Sequence, residues 1–193
     1  MLKDLILASR SFRSFDPSVR LSEDGLRELV DHARVTASSL NFQMLKFRLV
    51  TDRDEVCAVQ GNVRWATKIR DIVKLPPDGH GPAAFIVICT DRNVTPAADG
   101  FLIDVGIAAE AIMLAATEAG LGGCMMTSFS RETLPEILAL PNGITPQLVL
   151  ALGKPDEEVR ITSPAPDGDI SYYRENGIHF VRKRHLDDLI LRK

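Results

Sequence analysis

The chain has 193 residues, 45% of them apolar and 25% charged, with a formal net charge of -3. That length fits one domain with a real core, and the acidic balance argues against a general nucleic-acid or membrane-surface binder, which is usually basic. Three cysteines, Cys57, Cys89 and Cys124, show no CxxC or Cys/His spacing, so neither a zinc site nor a disulfide framework is suggested. The four histidines, His32, His80, His179 and His185, have no metal-ligand spacing, and no Ser/His/Asp arrangement stands out. The nearest approach to a membrane span, Ile103 to Ala116, contains Asp104 and Glu110. Met1-Leu2-Lys3-Asp4 lacks the h-region and cleavage site of a signal peptide, and a cytoplasmic protein is the expectation.

Leu2, Leu5 and Ile6 fall on one face of a short helix ending near Ser9. Asp16-Pro17 breaks the chain, and Ser22 is a good N-cap for a helix to about Thr36 with Leu26, Leu29, Val30 and Ala33 as its apolar face. Lys46 to Thr51 alternates like a half-buried strand. Asp54 to about Asn62 reads as helix, Arg64 to Leu75 fits either state, and Pro76-Pro77-Asp78-Gly79 is a loop. Ala83 to Thr90 is a continuous apolar run rich in β-branched residues, hence a central strand in which Cys89 is a core residue.

The strongest element runs from about Phe101 to Ala119, closed by Gly120 at the C′ position. It is apolar or small around nearly its whole circumference, so it is expected to be buried on several sides, in part against a second subunit. Leu121 to Phe129 reads as a connection in which Gly122 and Gly123 permit close backbone approach and Met125 and Met126 pack apolar surface. Ser130 caps a short helix to about Ala139, Pro141-Asn142-Gly143 is a turn, and Gln147 to Leu152 is a buried strand. Asp156 to Gly168 reads as an extended surface segment, Ile178 to Val181 as an edge strand and His185 to Leu191 as a terminal helix. No repeat or linker divides the chain, which points to one α+β domain over residues 1–193.

Three polar clusters stand out. In Arg10-Ser11-Phe12-Arg13 two guanidiniums suited to phosphate and carbonyl oxygens flank a hydroxyl; a solvated helix end offsetting its dipole is the other reading. Ser38-Ser39-Leu40-Asn41-Phe42-Gln43 can hydrogen-bond a heteroaromatic edge or be a plain helix end and turn. Arg182-Lys183-Arg184 is an ordinary solvated run unless folding brings it near the first cluster, where its cations would neutralise a phosphate. Together they suit a ligand with a phosphate at one end and a polar ring at the other, as in a flavin nucleotide. The common nucleotide motifs GxxxxGK[ST] and GxGxxG are absent.

In this order the clusters resemble signatures of the nitroreductase family of FMN-dependent oxidoreductases. Ser9-Arg10-Ser11-Phe12-Arg13-Ser14-Phe15 stands for Arg-Arg-Ser-x-Arg-x-Phe, and Ala37 through Met44 for Pro-Ser-Ser-x-Asn-x-Gln-Pro. Asp104-Val105-Gly106-Ile107-Ala108-Ala109 runs on to Leu114-Ala115-Ala116 and Gly120-Leu121-Gly122, followed by Leu140-Pro141 and Leu152-Gly153-Lys154-Pro155. The tail, Asp169-Ile170, Tyr173-Arg174 and His179 through Arg184, is similar to one bacterial subgroup. Ser9 takes the place of the first signature arginine, Ala37 and Met44 of two prolines, and Met125 of a frequent tryptophan.

The resemblance implies an α+β sandwich, with a central mixed, mostly antiparallel sheet flanked by helices, in an intertwined homodimer with FMN at the interface. It implies that Arg10 and Ser11 hold the phosphate and ribityl chain, and that Arg13 approaches the pyrimidine side of the ring. Ser38, Ser39 and Asn41 would reach the cofactor from the partner subunit with Gln43 in support. Thr127 and Ser128 would present backbone to the reactive ring nitrogen. Lys183 and Arg184, with Arg182 beside them, would close on the phosphate. Residues 62–81, with Arg64 and Trp65, would cover the site, too briefly for an elaborate lid. The implied reaction takes hydride from NADH or NADPH and reduces a small electron-poor acceptor, a nitroaromatic or quinone, by a ping-pong cycle; the flavin carries the chemistry and no side chain need act as acid or base. The alternatives are a non-catalytic FMN storage or sensing module and a specialised flavin reaction on the same fold.

Overall fold

The computed structural model describes residues 1–66, 73–95, 97 and 101–191. The chain divides into two compact units, Met1–Pro155 and Asp156–Lys193. The first unit is built around an antiparallel sheet in the order β1-β2-β4-β3, from Leu45–Val50 (β1), Ala84–Asp91 (β2), Gly122–Met126 (β3) and Ile144–Gly153 (β4). A parallel bridge between Ser11 and Gly123 extends the β3 edge and gives the sheet its mixed character. The α+β class expected from the sequence is the class the chain adopts.

Helices Leu2–Ala8 (α1), Glu23–Arg34 (α2), Arg53–Asn62 (α3), Leu102–Glu118 (α4) and Thr133–Ile137 (α5) complete this unit. Ser22 Oγ accepts from Gly25 N–H at 3.1 Å, and Ser130 Oγ from Thr133 N–H at 3.2 Å, so both serine caps act at the turns their side chains suit. Asp52 Oδ1 starts α3 by accepting from the N–H groups of Asp54 and Glu55 at 3.0 and 3.1 Å. Gly120 ends α4 with φ +74°, a left-handed position that costs glycine nothing.

The strands sort their side chains onto two cores. Ala84, Ile86 and Ile88 of β2, with Leu148, Leu150 and Leu152 of β4, pack beneath α2 and α4. Phe85, Val87, Cys89, Val149 and Ala151 face the other way, onto α3 and α5, where Phe15, Cys124 and Met126 join them. Every residue of β2 is buried, as its unbroken apolar run requires. The β-sheet therefore sits between helical layers, with β1 and β3 as its edges. Only one side of α4 is covered by this fold: Val105, Ala108, Ala109, Ile112, Met113 and Ala116 are buried, while Ile103 is 76% and Ile107 37% exposed.

Several sequence expectations need correction. Leu121 to Phe129 is not just a connection, because Gly122–Met126 forms the edge strand β3; its two glycines and lack of β-branched residues hide the strand pattern. Met125 is 38% exposed rather than packed, since the edge strand turns that position outward, and Met126 alone of the pair is buried. In the ambiguous stretch from Arg64 to Leu75, residues 67–72 lie outside the described residues.

The second unit holds a three-stranded sheet, β5-β7-β6, from Val159–Thr162 (β5), Tyr173–Glu175 (β6) and Ile178–Arg182 (β7). β7 is thus the middle strand, not an edge, and β5 lies inside the segment expected to be extended surface chain. Asn176-Gly177, with φ of 50° and 81°, makes the tight β6–β7 turn that Asn-Gly favours. The expected terminal helix reduces to a 3-10 turn at Leu186–Asp188.

Candidate functional site

The first cluster is built onto the β3 edge. Phe12 N–H donates to Gly123 O at 2.8 Å, which fixes Arg10 to Arg13 alongside the strand. Gly122 allows that approach, since a Cβ there would lie 2.5 Å from the Phe12 ring, whereas a Cβ on Gly123 would run into the Ala151 carbonyl oxygen of the neighbouring strand β4. Arg10 Nη2 donates to Ile6 O, and Arg13 Nη1 donates to Ser11 O at 3.2 Å. Burial pulls the Arg10 guanidinium below its ordinary value, and Glu110 on α4 opposes that pull. Ser11 and Arg13 also act on Cys124: burial raises this thiol, while the Arg13 charge and a hydrogen bond with Ser11 draw it back.

Thr127 and Ser128 follow directly on β3. Four residue steps lead from Gly123 to Thr127, about 13 Å at the usual strand rise, so Ser11 and Thr127 stand at two ends of one edge. Thr127 is exposed. Ser128 O accepts from Arg64 N–H at 2.8 Å, Val63 bridges Phe129, and Asn62 Oδ1 accepts from Ser130 N–H at 3.2 Å. These bonds zip the end of α3 to the segment after β3, setting Arg64 and Trp65 beside Thr127 and Ser128.

The second cluster lies at the opposite edge, leading into β1. Ser39–Asn41 forms one 3-10 turn in which Leu40 and Asn41 have φ of 50° and 54°, and Gln43 follows at 49°. Gln43 Nε2 donates to Asn41 Oδ1 at 3.2 Å. Asp104, in the first turn of α4, holds the loop: its carboxylate accepts from Ser39 N–H at 3.0 and 3.1 Å and from Ser39 Oγ–H at 2.8 Å. A cavity of ≈ 470 Å³ opens here, lined by Ser38, Asn41, Gln43, Phe47 and Asp104 among others.

One chain therefore gathers Arg10, Ser11, Arg13, Thr127 and Ser128 at the β3 edge, and Ser38, Ser39, Asn41 and Gln43 at the β1 edge. Three strand spacings, about 14 Å, separate β1 from β3. Lys183 and Arg184 belong to the second unit, where both are exposed. Their neighbour Arg182 is engaged there: Nη1 donates to Asp169 Oδ2 at 2.7 Å, and the guanidinium lies 4.7 Å from the Tyr173 ring centre. Among the described residues no group of His, Cys, Asp and Glu could hold a metal ion, and no helix is long and apolar enough to cross a membrane.

The donor set fits FMN. Arg10 Nε and Ser38 Oγ are buried without a hydrogen-bond partner among the described residues, and so is Trp65 Nε1. Buried polar groups are ordinarily paired, and these three lie in the segments singled out for a cofactor with phosphate, hydroxyl and ring-carbonyl acceptors. Asp104, buried at the start of α4 and bonded to Ser39, stands outside the three polar clusters that the sequence singles out.

The Nitroreductase family profile matches residues 6–154. The NADPH-flavin oxidoreductase of Vibrio harveyi is 27% identical over 180 residues, covering 84% of this chain and 69% of that one. This chain shares its fold with the NADPH:FMN oxidoreductase of Vibrio harveyi complexed with NAD+, at 23% identity and TM-score 0.67 over 97% of this chain and 80% of that chain. A structure from Exiguobacterium sibiricum in complex with FMN superposes with TM-score 0.70 at 15% identity, covering 90% of this chain and 97% of that one. With its profile spanning both sheet edges and the helix between them, the chain belongs to the nitroreductase family.

Proposed function

We propose that this protein takes hydride from NADH or NADPH and reduces small electron-poor acceptors, nitroaromatics or quinones, in a ping-pong cycle. The coarser statement follows from the family: the chain is an FMN-dependent NAD(P)H oxidoreductase. The observation that carries the reading is the pair of buried, unpartnered donors, Arg10 Nε and Ser38 Oγ, one in each signature segment.

FMN held by these residues would supply the hydride-transfer chemistry between nicotinamide and acceptor. The chain's own residues bind and orient. Arg10 and Ser11 hold phosphate and ribityl oxygens at one end of the β3 edge. Arg13 sets a fixed cation at the pyrimidine side, favouring the state in which negative charge develops there. Thr127 and Ser128 offer backbone at the far end of the same edge. Ser38, Ser39, Asn41 and Gln43 supply the polar rim from a second copy of the chain. For Lys183 and Arg184 the assignment to the phosphate rests on the sequence resemblance alone, as does the treatment of residues 1–193 as one functional domain.

A homodimer with FMN at its interface is supported by two features. The polar clusters lie at opposite edges of one sheet, and the face of α4 bearing Ile103 and Ile107 is apolar and uncovered within one chain. A cytoplasmic location is part of the same reading.

Titrating the purified protein with FMN, followed by anaerobic stopped-flow mixing with NADH and then NADPH, tests the proposal. The expected result is a yellow holoprotein whose flavin absorbance bleaches with one donor and returns on adding a quinone or nitroaromatic. Failure to take up FMN overturns it, and a flavin that neither donor bleaches identifies a storage or sensing module instead.

A further inference from the structure

We propose that Asp104 is a positioning residue for the cofactor, shaping the Ser38–Gln43 loop through Ser39; this rests on the flavin reading above. An aspartate in the first turn of a helix usually needs no explanation beyond the helix dipole, and such a residue normally faces solvent. Asp104 does not. It is 3% exposed and directed at a residue 65 positions earlier in the chain. Burying a carboxylate is costly unless it is well hydrogen-bonded, and the bonds that compensate here come from the Ser39 backbone N–H and hydroxyl.

The loop so held is one that does not adopt its shape for free. Leu40, Asn41 and Gln43 have φ of 50°, 54° and 49°, and left-handed backbone is disfavoured at residues with a Cβ, at leucine and glutamine more than at asparagine. The Phe42 ring also packs edge-on against Phe101, centres 5.8 Å apart, on the residue just before α4. Both anchors thus tie the loop to the start of one helix. Around them the unpartnered Ser38 hydroxyl, Asn41 and Gln43 line the ≈ 470 Å³ cavity, with Asp104 in its wall. Ordering the loop before the ligand arrives removes an entropy cost from binding. Asp104 need not touch the flavin to act.

The test compares FMN affinity with thermal stability in the full-length protein. Hydrogen bonds to charged groups are worth about 1.5–3 kcal/mol, so Asp104→Asn, whose amide N–H would face the Ser39 N–H, should weaken FMN binding roughly 10- to 100-fold. Val87→Ala, in the centre of β2, should lower Tm while leaving FMN affinity within about twofold, which separates positioning from general destabilisation. Ser39→Ala should weaken binding alone, yet add little in the Asp104→Asn background, because the two groups act as one unit.

Equal FMN affinity in wild type and Asp104→Asn, or fully additive losses, overturns the inference. If Asp104→Asn does not fold, Ser39→Ala decides through the loop itself: faster amide hydrogen exchange across residues 39–43 of the FMN-free protein supports it, and unchanged exchange overturns it. Wild-type protein that takes up no FMN overturns the flavin reading itself and this inference with it.

Discussion

The two edges of the sheet hold their polar clusters by opposite means. At the β3 edge Arg10 to Arg13 are set by backbone pairing with Gly123, and Gly122 makes room for the approach. At the β1 edge the Ser38–Gln43 loop has no such ladder and is hung from the Asp104 carboxylate, with non-glycine residues in left-handed backbone. The first edge tolerates change in side chains that leave the ladder intact, but has no room for added volume. The second exposes Leu40 to solvent and hangs from the start of α4 by the Asp104 carboxylate and the Phe42–Phe101 ring contact. A site assembled this way can vary its ligand contacts on one edge and its loop shape on the other.

The largest effect expected from breaking the contrast is at Gly123. Its Cβ would meet backbone, the Ala151 carbonyl, and a Leu152 methyl at 3.1 Å, so the strand must move as a whole. Gly123→Ala should cost about 3 kcal/mol, at the upper end for overpacking, and should abolish tight FMN binding by displacing Arg10 to Arg13. Urea unfolding with FMN titration measures both. Retained stability would show that the edge has slack and that the ladder does not set the cluster.

How far the sequence could be read follows the same division. The β1 side was legible because Ser22, the alternating Lys46 to Thr51 run and the polar loop each carry a local signal. Edge strand β3 was not, since Gly-Gly-Cys-Met-Met lacks β-branched residues and becomes a strand only through its partner β4. In the second unit Asn176-Gly177 was a usable hairpin signal that short, polar β6 obscured, whereas the parallel β5–β7 pairing is non-local and leaves no local trace. The role of Asp104 needed three dimensions as well, because its partner Ser39 is 65 residues away.

The thiols sharpen the contrast between sheet centre and β3 edge, with a smaller effect. Burial pushes Cys89 in β2 up to about 12 from an ordinary 9.0. Above pH 9 the unfolded chain loses a proton that the folded chain keeps, so the unfolded state binds fewer protons and stability falls as pH rises. The contribution is intact below about 9 and is lost progressively towards about 12. At pH 10 the loss should be about 1 kcal/mol, from a slope limited to about 1.4 kcal/mol per pH unit. Cys89→Ala should flatten this alkaline slope even though it lowers stability throughout. Cys124→Ala should flatten it too, because burial raises that thiol as well, against the opposing pull of Arg13 and Ser11. An unchanged alkaline slope in Cys89→Ala, read from urea midpoints at pH 8, 9 and 10, would mean that burial does not hold this thiol protonated.

The smallest effect reverses the logic of Gly123 at the opposite edge. Leu40 has φ 50° and is 82% exposed, so its side chain contributes little burial while its backbone carries the left-handed cost. Leu40→Gly removes a penalty of about 1–2 kcal/mol but frees the unfolded chain by about 0.4–1 kcal/mol. The net gain should be about 0.5 kcal/mol, the difference of those two terms, visible as a rise in Tm. If Asp104 fixes the loop, FMN affinity should stay within about twofold, because the anchor is untouched. A more stable variant that binds FMN much more weakly would mean that the restricted Leu40 backbone, rather than the carboxylate, holds the loop in shape. Removing a side chain is then a gain at the edge hung from a carboxylate, where adding a methyl is ruinous at the edge built on a ladder.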